Sequence, residues 1–474
     1  AGDTLNVWAW TYYETIDIDK KLTVIGNGTG NTTINGTSGS ADILKITADD
    51  VSISHLKFET SYYYGIKVEA DSVTLSHLIV KKSTIGIYVD GSDIQISNSL
   101  ITDNSGGIYA GVWVVGSANN FRLENSTISH NSGDAGIEIR AGSSSAIFYG
   151  NQIHNNSGMG LVSYTSYTTI SNSKIVDNQH YGITLYGNSG NGDYCRLINN
   201  TILRNQIGIH TNDNVDNLKV EGNTIQDNDI GISFSAYGDN AYLWNNTITS
   251  NEDYDLKFTS YSVSNFAINT DFDTISVQAQ SSLTIKEYFS LDVNDASGNN
   301  MSGIDIKVME SGVQKYASSY FGGSDPKTDS YGTIEIFLIN HEIYDGSSTP
   351  TTIPTYVSAR SNDWVETFTS DPSSTIQITV PDLRVQNTRT GTLTYHIQTA
   401  LDAASSGDTI HAWAGIYYEN LEITEEITLK GNGTSTVING TYTNHGIEVK
   451  EDNVIIKNLT TVSSSTDGDS KAGI

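Results

Sequence analysis

Four residues within eleven positions, His130, Asp134, Glu138 and Arg140, have the types and spacing to do chemistry. Glu138 and Arg140 flank Ile139, so an extended backbone turns both to one side. A guanidinium grips carboxylates, and a carboxyl with an imidazole can exchange protons. Together they could bind or cleave a uronic polymer. The plainer reading is an exposed ion pair worth under ~1 kcal/mol. A second series, Asp103, His130, Asn155, Asp177, Arg204, Asp227 and Ser250, recurs at matching positions. Calcium is the cofactor that converging oxygens would hold there. With Arg204 and His130 in the same series, ordinary polar corners are the stronger expectation, and no other cofactor is expected. No spacing resembles a zinc or copper site. Cys195 is the single cysteine, so no intrachain disulfide can form, and its alternation with Leu197 predicts a core thiol.

Glycosylation is a third chemistry, since N-x-S/T acceptors occur throughout. Asn125, Asn199 and Asn245 each stand three residues before a recurrent isoleucine, where alternation turns them outward. Asn27 and Asn432 share one turn of a repeated segment, as do Asn35 and Asn439. Tyrosines such as Tyr12-Tyr13 and Tyr62-Tyr63-Tyr64 could stack on sugars, though aromatic corner packing is the commoner use.

The elements that must position these groups repeat. NSLITDNSGGI, NSTISHNSGDAGI, GNQIHNNSGMGL, NSKIVDNQHYGI, NNTILRNQIGI, GNTIQDNDIGI and NNTITSNEDYDL align between Asn98 and Leu256. Ile101, Ile128, Ile153, Ile175, Ile202, Ile225 and Ile248 form one column, and Asn104, Asn131, Asn156, Asn178, Asn205, Asn228 and Asn251 another. A second apolar column holds Ile66, Ile87, Ile108, Ile137, Leu161, Ile183, Ile209, Ile232 and Leu256. Alternating pairs supply a third: Ile94/Ile96, Phe121/Leu123, Ile147/Tyr149, Cys195/Leu197, Leu218/Val220 and Tyr242/Trp244. Three short strands per turn, with Asn- and Gly-rich corners, predict stacked coils sharing one core, in roughly twelve rungs. Asn at the corners is expected to take left-handed backbone and to bond its stacked neighbours, and the glycine before the second column to permit a bend.

In this the chain resembles the parallel β-helix repeat superfamily, which includes pectate-lyase-like enzymes, phage tailspikes, copper-maturation periplasmic proteins and large microbial surface proteins, some archaeal. The resemblance covers residues 1 to about 262 and again 386–474. It implies a right-handed parallel β-helix and is nearly silent on activity. Its enzymes carry N-T-D, D-D, G-H-G and R-I-K sets, R-x-P-x-x-R, or D-P-H-D; no such set occurs in the rungs, where Asp49-Asp50 is an isolated D-D, and Asn269-Thr270-Asp271 stands in the exit segment without partners.

All five prolines lie within residues 320–385, where the repeat disappears. Alternating runs there predict a β-sandwich spacer over 263–385 of immunoglobulin or transthyretin-like type. D295-A-S-G298 and T328-D-S-Y-G332 resemble the carboxypeptidase-regulatory family. The first pattern then restarts: residues 407–434 match residues 2–29 at 14 of 28 positions, offset by 405. The 386–474 segment is therefore expected to hold the first coils of a second β-helix, repeating 2–70. An amphipathic helix over 395–404 precedes them and should cap the open end, since terminal coils need a cover. The first copy shows no such helix before Gly2, so the chain reads as a window on tandem modules, with further copies end to end as partners.

A net charge of −29, from 54 acidic and 25 basic residues, excludes nucleic-acid binding. No apolar run reaches membrane-spanning length. The expectation is an all-β, non-enzymatic extracellular or cell-surface protein forming a rod, sheath or filament, with cell-surface or extracellular glycans as further partners. The alternative is a carbohydrate-binding or polysaccharide-cleaving β-helix protein.

Overall fold

The computed structural model describes residues 2–463 apart from 37–41, 108–110, 116–117, 141–144, 188–192, 236, 260 and 441–444. It divides into two units, Ala1–Lys286 with Glu342–Thr352, and Glu287–His341 with Ile353–Ile474.

The first unit is a right-handed parallel β-helix. Its first coil is β1 (Asp3–Val7), β2 (Trp10–Tyr13) and β3 (Ile16–Ile18), and its second is β4 (Leu22–Gly26), β5 (Thr32–Asn35) and β6 (Asp42–Ile46). Each strand pairs in parallel with its equivalent one coil on: Asp3 meets Leu22, Trp10 meets Thr32, and Ile16 meets Leu44. The pattern makes three sheets, of which the second and third hold twelve strands each. Strand pleat sends alternate residues inward, so the isoleucine column from Ile101 to Ile248 stacks in the second sheet with every member buried.

Three expectations need correction. Ile108 lies outside the described residues; Val112 holds that column, paired with Ile87 and Ile137. In the first sheet Ala146/Phe148 and Ala241/Leu243 point inward, so Ile147/Tyr149 and Tyr242/Trp244 lie on the outer face. A one-residue slip exchanges every side chain between faces. The parallel ladder also runs beyond residue 262, through Asn265–Ile268, Asp271–Phe272 and Ile275–Val277.

The asparagines from Asn104 to Asn251 are buried rather than left-handed. Each Nδ2 donates to the Oδ1 of the next coil's asparagine at 2.9–3.2 Å, and the series ends on Asp255 Oδ1 at 2.8 Å. The positive φ falls one residue earlier, on Asp103, His130, Asn155, Asp177, Arg204, Asp227 and Ser250. Buried amides bonded on both sides contribute about 1 kcal/mol per bond, and each one orphaned costs more. A second ladder joins Asn200, Asn223, Asn246 and Thr270. The recurrent glycine serves close approach, not a bend: a Cβ on Gly182 would sit 2.7 Å from the Gly208 carbonyl oxygen.

The second unit contains the sandwich. Val313–Ala317, Asp305–Glu310, Thr355–Ser361 and Trp364–Ser370 form an antiparallel sheet, and Leu291–Asp295 pairs with Ile376–Val380. Ile306, Val308, Val357, Ala359 and Ile378 are in its core. Asp295 and Asp329 fix turns, each accepting backbone N–H groups from residues two and four further on. The β-helix then restarts with Thr409–Ala412, Gly415–Tyr417 and Leu421–Ile423, matching β1, β2 and β3. Helix α1 spans Ile397–Asp402, shorter than the expected 395–404, because Asp363 holds the N–H groups of Tyr395 and of an extended His396. Ile397, Ala400 and Leu401 are buried with Ile410, Leu421 and Leu429.

Candidate functional site

The strand Ala135–Ile139 buries Ile137 and Ile139 inward, so pleat turns Glu138 to the outer face of the third sheet. There it is in register with Trp113 on one side and Val162 on the other. Glu138 is nevertheless only 5 % exposed, and the outward Val162 and Thr184 are buried too. Aromatic and thioether groups flank this row: Met159 Sδ accepts from Thr184 Oγ1 at 3.3 Å, and Tyr164 stacks on Tyr186 at 4.3 Å. Arg140 places its guanidinium 5.4 Å from the Tyr164 ring and its Nε 2.5 Å from Glu138 Oε1. Burial pushes the Glu138 carboxyl up to about 7, Arg140 draws it down, and Asp134 raises it again. A carboxyl at that value can take or give a proton near neutrality.

Of the four predicted residues, the structure thus joins Glu138 with Arg140 and brings Asp134 within electrostatic reach. His130 belongs to another row, on a positive-φ corner with its ring 5.8 Å from that of His154. In the corner series proposed for calcium, Arg204 instead takes Asp177 in a two-pronged pair at 2.6 and 2.8 Å. Among the described residues no three His, Cys, Asp or Glu converge as metal ligands. Cys195 is buried in the core, and burial pushes its thiol up to about 12.

Asn27, Asn125, Asn199, Asn245 and Asn432 are exposed, while Asn35 and Asn439 are half-buried within strands. Asn125, Asn199 and Asn245 all have positive φ. Asn432 Oδ1 lies 2.7 Å from His411 Nε2, and Asn245 Oδ1 accepts from Asn269 at 2.7 Å.

A further patch was hidden by the register slip. On the outer face of the first sheet Arg196, Lys219 and Tyr242 lie in one row, and Ile198, Glu221 and Trp244 in the next. Arg196, Lys219, Glu221, Tyr242 and Trp244 border a hollow of about 570 Å³, with Tyr242 37 % and Trp244 40 % exposed. Exposed aromatic faces beside cations and a carboxylate suit a sugar chain, which presents apolar ring faces and polar edges. Counting three back from the buried Asn200, Asn223 and Asn246 identifies Leu197, Val220 and Leu243 as inward, so the signal was present in the sequence.

A family model described as right handed beta helix region matches residues 42–202, and one described as periplasmic copper-binding protein (NosD) matches residues 143–266. With the parallel register above, these matches agree with the N-terminal unit being a right-handed parallel β-helix. Copper does not fit the donors in the second match: Cys195 faces the core, Met159 bonds Thr184, and no ligand cluster forms among the described residues. No curated protein matches the chain. Similar solved structures include the mannuronan C-5 epimerase A-module of Azotobacter vinelandii, 14 % identical with a TM-score of 0.40, covering 59 % of this chain and 81 % of that one. An alginate lyase from Paenibacillus sp. is 18 % identical with a TM-score of 0.37, over 47 % and 88 %. The Dettilon tailspike protein is 13 % identical with a TM-score of 0.46, over 75 % and 71 %. Likeness of this degree carries no statement about activity.

Proposed function

We propose that the chain is part of a non-enzymatic extracellular or cell-surface protein, in which a β-helix and β-sandwich module recurs to form a structural or adhesive rod, sheath or filament. The observation that carries this reading is the restart: Thr409–Ala412, Gly415–Tyr417 and Leu421–Ile423 reproduce β1, β2 and β3 after the sandwich. Adhesion would use the first-sheet platform around Tyr242 and Trp244, with glycans as partners, and the exposed asparagines would carry glycans of their own. The test is affinity electrophoresis of the full chain through acidic and neutral polysaccharides, with product ends assayed in parallel. Retardation without new ends is the expected result.

The second reading, polysaccharide cleavage, is favoured by Glu138, whose carboxyl titrates near 7 beside Arg140. Steady release of unsaturated or reducing ends that Glu138→Gln abolishes would establish it and overturn the first.

A further inference from the structure

An amine, a carboxylate and a carboxamide converge in the sandwich. Glu310 ends the strand Asp305–Glu310 and is 5 % exposed. Two nitrogens reach the same oxygen of it: Lys315 Nζ and Asn340 Nδ2 each lie 3.0 Å from Glu310 Oε1. The Asn340 backbone N–H donates to the other oxygen, Oε2, at 2.7 Å. All three residues belong to the second unit.

Backbone register and ring packing aim these groups at one another. Val313–Ala317 is the hairpin partner of Asp305–Glu310, and its pairing slips: Val308 meets Tyr316 but Met309 meets Gln314, so Lys315 is the extra residue of a β-bulge. A bulge re-aims a side chain, and this one delivers Lys315 from the exposed rim to the buried carboxylate. Asn340 comes from the strand Phe337–Asp345, which lies outside the four-stranded sheet that carries the other two residues. Phe337 of that strand stacks on Tyr316, the neighbour of Lys315, with ring centroids 5.7 Å apart. The stacked rings hold the strand of the amide against the strand of the amine. An ion pair needs only Lys315 and Glu310; a carboxamide on the same oxygen completes a set of nucleophile, proton carrier and electrophile.

We propose that Lys315 and Asn340 become joined by an isopeptide bond, with Glu310 carrying the proton. The Lys315 ammonium gives a proton to Glu310, and the neutral Nζ attacks Asn340 Cγ to form the Nζ–Cγ bond. Protonated Glu310 is then a donor for the negative charge that builds on the carboxamide oxygen. Glu310 next relays a proton from Nζ to Nδ2, the Cγ–Nδ2 bond breaks, and ammonia leaves with the remaining proton as ammonium. One ammonium and one carboxamide thus become one amide and one ammonium ion, with no oxidant or reductant. Holding the three groups together removes the entropy cost of their encounter. The bond would staple the four-stranded sheet to the strand Phe337–Asp345, in a chain whose single cysteine, Cys195, gives it no internal disulfide.

Tryptic digestion of the full chain, produced without glycans, and mass spectrometry of the products test this. A branched peptide joining Lys315 to Asn340, lighter by one ammonia than its two halves together, is expected. Two separate peptides with Lys315 and Asn340 unmodified would overturn the proposal, and this measurement on the unaltered chain depends on no variant folding. Glu310→Gln, which accepts no proton, should lower the yield of branched peptide at least tenfold; an undiminished yield would overturn the role given to Glu310. Lys315→Arg keeps a cation beside Glu310 but has no amine to transfer. It should lack the branched peptide and melt lower by on the order of 10 °C. A branched peptide at Asn340 that survives in this variant would count against Lys315 as the nucleophile.

Discussion

Two kinds of buried polar residue behave oppositely at the residue scale. Asn178 is satisfied on every side: it donates to Asn205 Oδ1 and the Ile153 carbonyl, and accepts from the Asn156 N–H and Nδ2. Asn178→Ala orphans those partners and should destabilise the β-helix by about 3 kcal/mol, read as a lower urea midpoint. Glu138 is buried beside one cation, and its folded carboxyl titrates near 7. The folded state then holds a proton that the unfolded state releases near the usual carboxylate range. Stability should therefore fall as pH rises from about 4.5 to 7, by about 3 kcal/mol in all. Glu138→Gln should flatten that slope and raise the melting temperature at pH 8, which thermal melts at pH 5 and pH 8 would check.

Whole strands and caps follow the same logic. The third sheet brings successive coils so close at its glycines that Gly182→Ala would force a Cβ within 2.7 Å of the Gly208 carbonyl oxygen. Calorimetry should show about 2 kcal/mol of destabilisation, typical of overpacking against backbone. The cap over the second β-helix depends on Asp408, whose carboxyl Arg389, the Ser405 N–H and Asn387 hold well below the usual range. A depressed carboxyl contributes its full stability above the ordinary carboxylate pKa and loses it as pH falls through the folded value. Exchange at α1 and Thr409–Ala412 should thus accelerate in strong acid, and Arg389→Ala should move that opening to higher pH.

For the whole molecule, the −29 charge means mutual repulsion between like groups, which added salt screens. The glycan retention proposed above would then rest on local features, chiefly the Tyr242 and Trp244 platform with Arg196 and Lys219. Tyr242→Ala with Trp244→Ala should weaken retention on an acidic polysaccharide about tenfold, the scale of one lost aromatic contact region. The melting temperature should hardly change, because both rings lie outside the core. Glycans on Asn199 or Asn245, which follow Ile198 and Trp244, would crowd the same face, so enzymatic deglycosylation of native material should strengthen retention.

Much of this was legible in the residues. The isoleucine column, the buried thiol of Cys195, the sandwich and the 405-residue repeat follow from periodicities of two and of one coil, because a solenoid imposes the same environment at every turn. The outer faces were harder. Tyr242 and Trp244 alternate as well as Ala241 and Leu243 do, and alternation alone does not separate the pairs; the count back from Asn246, stacked on Asn223, does. Likewise, the Glu138–Arg140 spacing was plain in the sequence, but burial of Glu138 comes from neighbouring coils more than twenty residues away. The left-handed corner beside each buried asparagine was decided by the ladder itself. Sequence periodicity determined that a β-helix forms and where it restarts; packing between coils determined which of its polar groups are buried, paired or exposed.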